Sequence, residues 1–190
     1  HSYMVEQEML SYASGLQGQS LIDNMGGKNA VRREAMGAFL YSAMYARNAN
    51  NYELVMTSAR HYWNACITLV SQPIERELLK EPIRTILDCI TATAEKKPKK
   101  EDKDSVPVVT DTKSDKSLVQ TEGKAETKDV KEVKEQKSST MIGSPQEDLT
   151  LRAALYGVLF MSYIDQEEWE NALQAMDQAV DAMPRTKHRL

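Results

Sequence analysis

The chain has 190 residues, 41% apolar and 27% charged, with 24 basic against 28 acidic residues and a formal net charge of −4. That near balance gives no support to a nucleic-acid-binding or polybasic membrane-binding surface. Two cysteines, Cys66 and Cys89, are too few for a disulfide-built scaffold, and no run of about 18 apolar residues marks a membrane span. The length allows one domain or two small ones.

The spacing predicts a first helix from Tyr3 to about Asn24, with Val5, Met9, Tyr12 and Leu16 on one stripe at intervals of 4, 3 and 4. Asn24-Met25-Gly26-Gly27 supplies a stop. A second helix is expected from about Asn29 to Arg47, carrying Val31, Ala35, Phe39, Ala43 and Ala46, with Met36, Leu40 and Met44 widening the face. A third is expected from Tyr52 to Val70. Val55, Ala59, Tyr62, Cys66 and Leu69 form its stripe, and Trp63, Ile67 and Val70 extend it. Another helix starts near Pro73. Pro82 lies well inside it and predicts a kink or a restart. Ile83, Ile86, Leu87, Ile90 and Ala94 then resume the helical spacing. No segment alternates apolar and polar residues for long, so no sheet is expected.

Residues 95–149 differ in kind. They hold 12 Lys and 13 Asp or Glu, 11 apolar residues, and no Phe, Trp or Tyr. Such a segment buries too little apolar surface to offset the entropy of ordering it, which predicts a disordered linker or inserted loop. Within it, the Lys/Glu pairs of 128–135 each contribute only about 0.2–0.5 kcal/mol to a helix. The remaining 135 residues are about half apolar. They form two pieces, 1–94 and 150–190.

In the second piece, Ser144-Pro145-Gln146-Glu147 reads as a capping box with proline at the first helical position. The helix it opens should run to about Ile164. Asp165-Gln166-Glu167-Glu168 should cap a last helix from about Glu167 to Met183, before Pro184.

The 34-residue segment 153–186 resembles a tetratricopeptide repeat. With Pro184 at the closing proline, Tyr156 falls on the large aromatic position, Leu159 on the leucine and Tyr163 on the tyrosine of helix A. Ala172 and Ala179 take the two small positions of helix B, and Met176 stands where an aromatic is usual. Phe160 departs from the pattern, since the closest helix contact normally holds glycine or alanine. Residues 29–47 with 52–70 have the same alternation in helices too long for that unit. The expected fold is therefore all-α, a TPR-like solenoid of helix hairpins interrupted by the charged linker. Repeat arrays need about three units to bury a core. Together with the opening His1, this reads as part of a longer array, with no signal peptide.

Other constellations carry little chemistry. Gly26-Gly27-Lys28-Asn29 lacks the leading glycine and following Ser or Thr of a phosphate loop. His1, His61 and His188 are far apart, and no Cys/His spacing matches a zinc site. Cys66 and Cys89 lie on apolar faces, where buried thiols are the default. Glu167 and Glu168 suit a helix N-terminus without any catalytic role. Arg32, Arg33, Arg47 and Arg60 read as a solvated basic face, and the ten methionines as core filler. The acidic-tail clamp of some repeat domains is not visible, because helix A holds Gly157 and Met161 at the relevant positions. No catalytic group, metal or cofactor is expected.

His61-Tyr62-Trp63-Asn64-Ala65-Cys66, followed by Pro73-Ile74-Glu75-Arg76-Glu77-Leu78-Leu79-Lys80-Glu81-Pro82, resembles the large tetratricopeptide-type scaffold proteins of the ciliary central apparatus. The resemblance implies a non-enzymatic cytoplasmic scaffold of the axoneme. Its partners would be other protein subunits near microtubules, with no nucleic acid and no membrane. A cytosolic adaptor in signalling or trafficking, with a regulated linker, is the competing expectation.

Overall fold

A computed structural model describes residues 2–94 and 145–183. Of the linker expected over 95–149, residues 95–144 lie outside the described residues, as do the capping serine Ser144, which falls within that range, and the repeat-closing Pro184. Among those described, every regular element is helical: α1 (Ser2–Asp23), α2 (Asn29–Asn48), α3 (Tyr52–Cys66), α4 (Pro73–Ala94), α5 (Pro145–Asp165) and α6 (Trp169–Ala182). All six belong to one packed unit, so the two pieces of sequence share a core.

Local chemistry sets the boundaries. Gly26 and Gly27 take φ of +53° and +79°, a left-handed turn that glycine enters without the penalty a Cβ would bring. Asn50 is also left-handed, at φ 56°, and Asn51 then caps α3 by accepting the Leu54 amide on its side chain at 3.1 Å. Helix α3 stops at Cys66, short of the expected Val70. Side chains serve the end of α3 and the turn after it: Arg32 reaches the Ala65 carbonyl at 3.2 Å and the Thr68 hydroxyl, and Arg76 holds the Val70 carbonyl at 2.8 Å. Helix α4 runs through Pro82 as one element. The carbonyl that the proline leaves unbonded belongs to Leu78, which is exposed, so water can serve it.

Helix α5 begins at Pro145, five residues inside the segment assigned to the linker, as the capping-box reading requires. The expected cap on α6 is not formed. Its N-cap is Glu168, whose side chain makes no capping bond, and Glu167 is left-handed at φ 57°. Asp165 is drawn away to Arg76.

Consecutive helices pack on one another through α3, and α4, α5 and α6 follow in the same way. Alternate helices also touch: α1 with α3, α2 with α4, and α3 with α5. The centre is built from Phe39, Val55, Met56, Tyr62, Ile83, Ile86, Ile90 and Leu155, all essentially inaccessible to solvent. The stripes expected for α2, α3 and the second half of α4 face this core. That of α1 does not.

Candidate interaction surfaces

Helix α1 is attached by its small residues. Gln7, Ser11 and Gly18 are its buried positions, and Gly15 lies beside them. Ser11 Oγ donates to the Ser42 carbonyl and Ser42 Oγ donates to the Ser11 carbonyl, both at 2.8 Å. Ser58 Oγ on α3 lies 2.8 Å from Ser42 Oγ, so three buried serines join three helices. Each of these hydroxyls has a partner, which removes the penalty of burying it. At Gly18 the approach is closest. A Cβ there would fall 2.5 Å from the Phe39 ring. Polar pairs run along the edge of the seam: Asn48 to Gln7, Asn51 to Glu8, and Gln19 to His61, at 2.9–3.0 Å.

This seam turns the large side chains of α1 outward. Val5, Met9, Tyr12 and Leu16 are 53–68% exposed, and Tyr3, Met4 and Leu10 are exposed with them. An exposed row of large apolar side chains on one helix face marks a contact site.

At the other end of the unit, α6 carries a second stripe. Trp169, Leu173, Met176 and Val180 repeat the 4, 3, 4 spacing and are 48–64% exposed. The helix rests on α5 through Ala172 and Ala175, with Ala179 and Ala182 partly buried. The repeat-pattern residues therefore divide. Tyr156, Leu159, Tyr163 and Ala172 are buried, and Ala179 packs at the core's edge. Met176 does not fill the space between the helices. Ala175 occupies the inner face and turns Met176 outward. Phe160 is half-buried against the core.

Ion pairs fasten α5 and the start of α6 onto α3 and α4. Arg76 grips Asp165 with two bonds, at 2.6 and 2.8 Å, and that guanidinium holds the Asp165 carboxyl below its usual range. Lys80 bonds Glu168 at 2.9 Å and lies over the Tyr163 ring. Arg60 pairs with Asp148 at 3.0 Å, and Arg152 donates to the Tyr52 hydroxyl at 2.7 Å. Of the arginines read as a solvated face, Arg32 and Arg60 are half-buried and bonded as above, whereas Arg33 and Arg47 are exposed, Arg33 pairing with Glu75 at 2.7 Å. These pairs are not visible as spacing in the sequence. The only signal for the seam was Gln7, Ser11, Gly15 and Gly18, a row of small or polar residues opposite the apolar stripe.

Reactive groups are few and quiet. Burial pushes the Cys66 thiol up to about 12 and also raises that of Cys89, so both stay protonated at neutral pH. Burial, with nearby Arg60, lowers the His61 ring below its ordinary value, and the ring stacks on Phe39 at 5.3 Å. A cavity of about 420 Å³ opens beside His61, lined by Gln19, Arg32 and Asn64 among others. A larger one of about 720 Å³ lies among α4, α5 and α6, beside Asp88, Arg152, Tyr156 and Gln178. Among the described residues, no group of His, Cys, Asp and Glu is placed to hold a metal, and no helix is long and apolar enough to cross a membrane. The searches against protein families and solved structures found no match for this chain.

Proposed function

We propose that this chain is a non-enzymatic scaffold segment that docks other protein subunits through the outer faces of a helical array. The observation that carries the reading is α1. It is anchored by a seam of serines and glycines while its large apolar side chains point into solvent. Burial of such a stripe is the main favourable term in association. The array reading, tetratricopeptide-like in kind, is supported by the chain-order packing of the helices and by burial of Tyr156, Leu159, Tyr163 and Ala172 at the repeat positions. The resemblance carried by His61–Cys66 and Pro73–Pro82 is what supports the ciliary axoneme as the setting of this scaffold.

Two experiments separate these parts. Cross-linking of the native full-length protein should join α1 to a partner subunit, and Met9→Glu with Tyr12→Glu should abolish those links while helicity is kept. Retention of every link would contradict docking through α1. A tagged protein in ciliated cells should localise along the axoneme. A diffuse signal would remove the ciliary placement and leave the docking reading standing.

A further inference from the structure

We propose that the α6 face receives an amphipathic helix of a partner protein, one whose apolar stripe is flanked by lysine or arginine. This rests on the docking reading above and names the partner's chemistry at a second surface. Trp169, Leu173, Met176 and Val180 occupy alternating d and a positions of a heptad, the seam along which a second helix packs knobs into holes. A tryptophan exposed on such a seam is the residue type that most often anchors an interface.

Charge selects the occupant. Helix α6 has no Lys or Arg. Glu170 and Asp177 each follow a d residue, which puts both at e positions beside the stripe, and both are exposed. Neither forms an ion pair among the described residues. Cations on α4 and α5 bond other groups: Lys80 holds Glu77 and Glu168, Arg84 pairs with Glu81, and Arg152 donates to the Tyr52 hydroxyl and the Ala182 carbonyl. Charges at e and g positions decide which partner a helical seam accepts. A second copy of α6 would bring acid to acid along this row in an antiparallel pair, and in a parallel pair would set the carboxylates against Ala172 and Ala179 at g, with no cation to answer them. A helix with basic flanks meets, together with the apolar stripe, two carboxylates that form no ion pair among the described residues.

The test titrates the full chain against three labelled helices of about three heptads, each with leucine at a and d, and with lysine, glutamine or glutamate at e and g. The lysine helix should bind at least about tenfold more tightly than the glutamine helix, the glutamate helix should be weakest, and the preference should fade as salt rises. Glu170→Gln with Asp177→Asn should erase most of the lysine preference. Asp23→Asn with Glu34→Gln, an equal charge change elsewhere, should leave it intact. Leu173→Glu should abolish binding with helicity unchanged. Equal binding of all three helices overturns the proposal, and so does a preference that both charge variants lose alike. Self-association of the chain that Leu173→Glu abolishes would assign the face to a second copy. A tenfold gain in affinity on deleting residues 184–190 would assign it to the chain's own basic tail. Any of these results leaves the cross-linking test of α1 unaffected.

Discussion

Helices α1 and α3 carry apolar stripes of identical spacing and opposite fate. Val5, Met9, Tyr12 and Leu16 face solvent, whereas Val55, Ala59, Tyr62 and Cys66, spaced 4, 3, 4 in the same way, are at most 1% exposed. The difference lies in what stands opposite each stripe. In α1 the other side offers Ser11, Gly15 and Gly18, which let α2 approach closely and exchange hydrogen bonds with it. In α3 the apolar stripe itself meets α2 and α4. A period of 3.6 residues therefore identifies a helix with a sided surface, but the closest-packing side decides which way it turns.

The largest test of that contrast compares two tyrosines. Tyr62→Ala should cost about 4 kcal/mol in urea denaturation, because it opens a cavity in the core. Tyr12→Ala should change stability by less than about 0.5 kcal/mol, because it removes an exposed ring. Comparable losses at both positions would break the comparison.

The seam can be tested through two glycines. Gly18→Ala should destabilise by about 1–3 kcal/mol, since its Cβ would collide with the Phe39 ring, which is buried and stacked on His61. Gly37→Ala meets nothing within 4 Å and should stabilise α2 by about 0.5–1 kcal/mol. Thermal melting of the two variants should therefore move in opposite directions.

Two buried serines sharpen the point further. Ser42→Ala takes a donor from the three-helix network and should cost about 1–2 kcal/mol. Ser162 is equally buried but its hydroxyl has no partner among the described residues, so Ser162→Ala should be neutral or mildly stabilising by denaturant midpoint.

The smallest effect concerns pH. His61 bridges α1 and the core through Gln19 and Phe39, and its folded-state value lies below the unfolded one. The unfolded chain then binds the proton first as pH falls. This contribution to stability is complete above the ordinary histidine range, near pH 6.5, and is lost as pH drops from there toward the folded value. The melting-temperature difference between pH 7.5 and pH 5.5 should shrink in His61→Phe.

Much of the fold was legible in the sequence. Stripes, turn residues and Pro145 located six helices within a few residues, because each signal is local. What was not legible depends on contacts between distant segments. Three of the four arginines read as a solvated face, Arg60, Arg33 and Arg32, bond Asp148, Glu75 and the end of α3, pairings that only the assembled fold creates. Asp165 fits a capping pattern but is taken by Arg76, a stronger charged partner. Met176 matches a repeat position by register, yet the small neighbouring Ala175 takes the inner face. The two candidate surfaces were present as spacing in both α1 and α6. Only their exposure identifies them as contact sites rather than core.

Methionine oxidation tests the orientation of α1 most directly. Met9 is 68% exposed and Met56 is fully buried. Under mild peroxide, with oxidation read residue by residue by mass spectrometry, Met9 should oxidise at least about tenfold faster than Met56. Protection of Met9 to the level of Met56 in the isolated chain would mean that the stripe of α1 faces inward, and would contradict the account at its base.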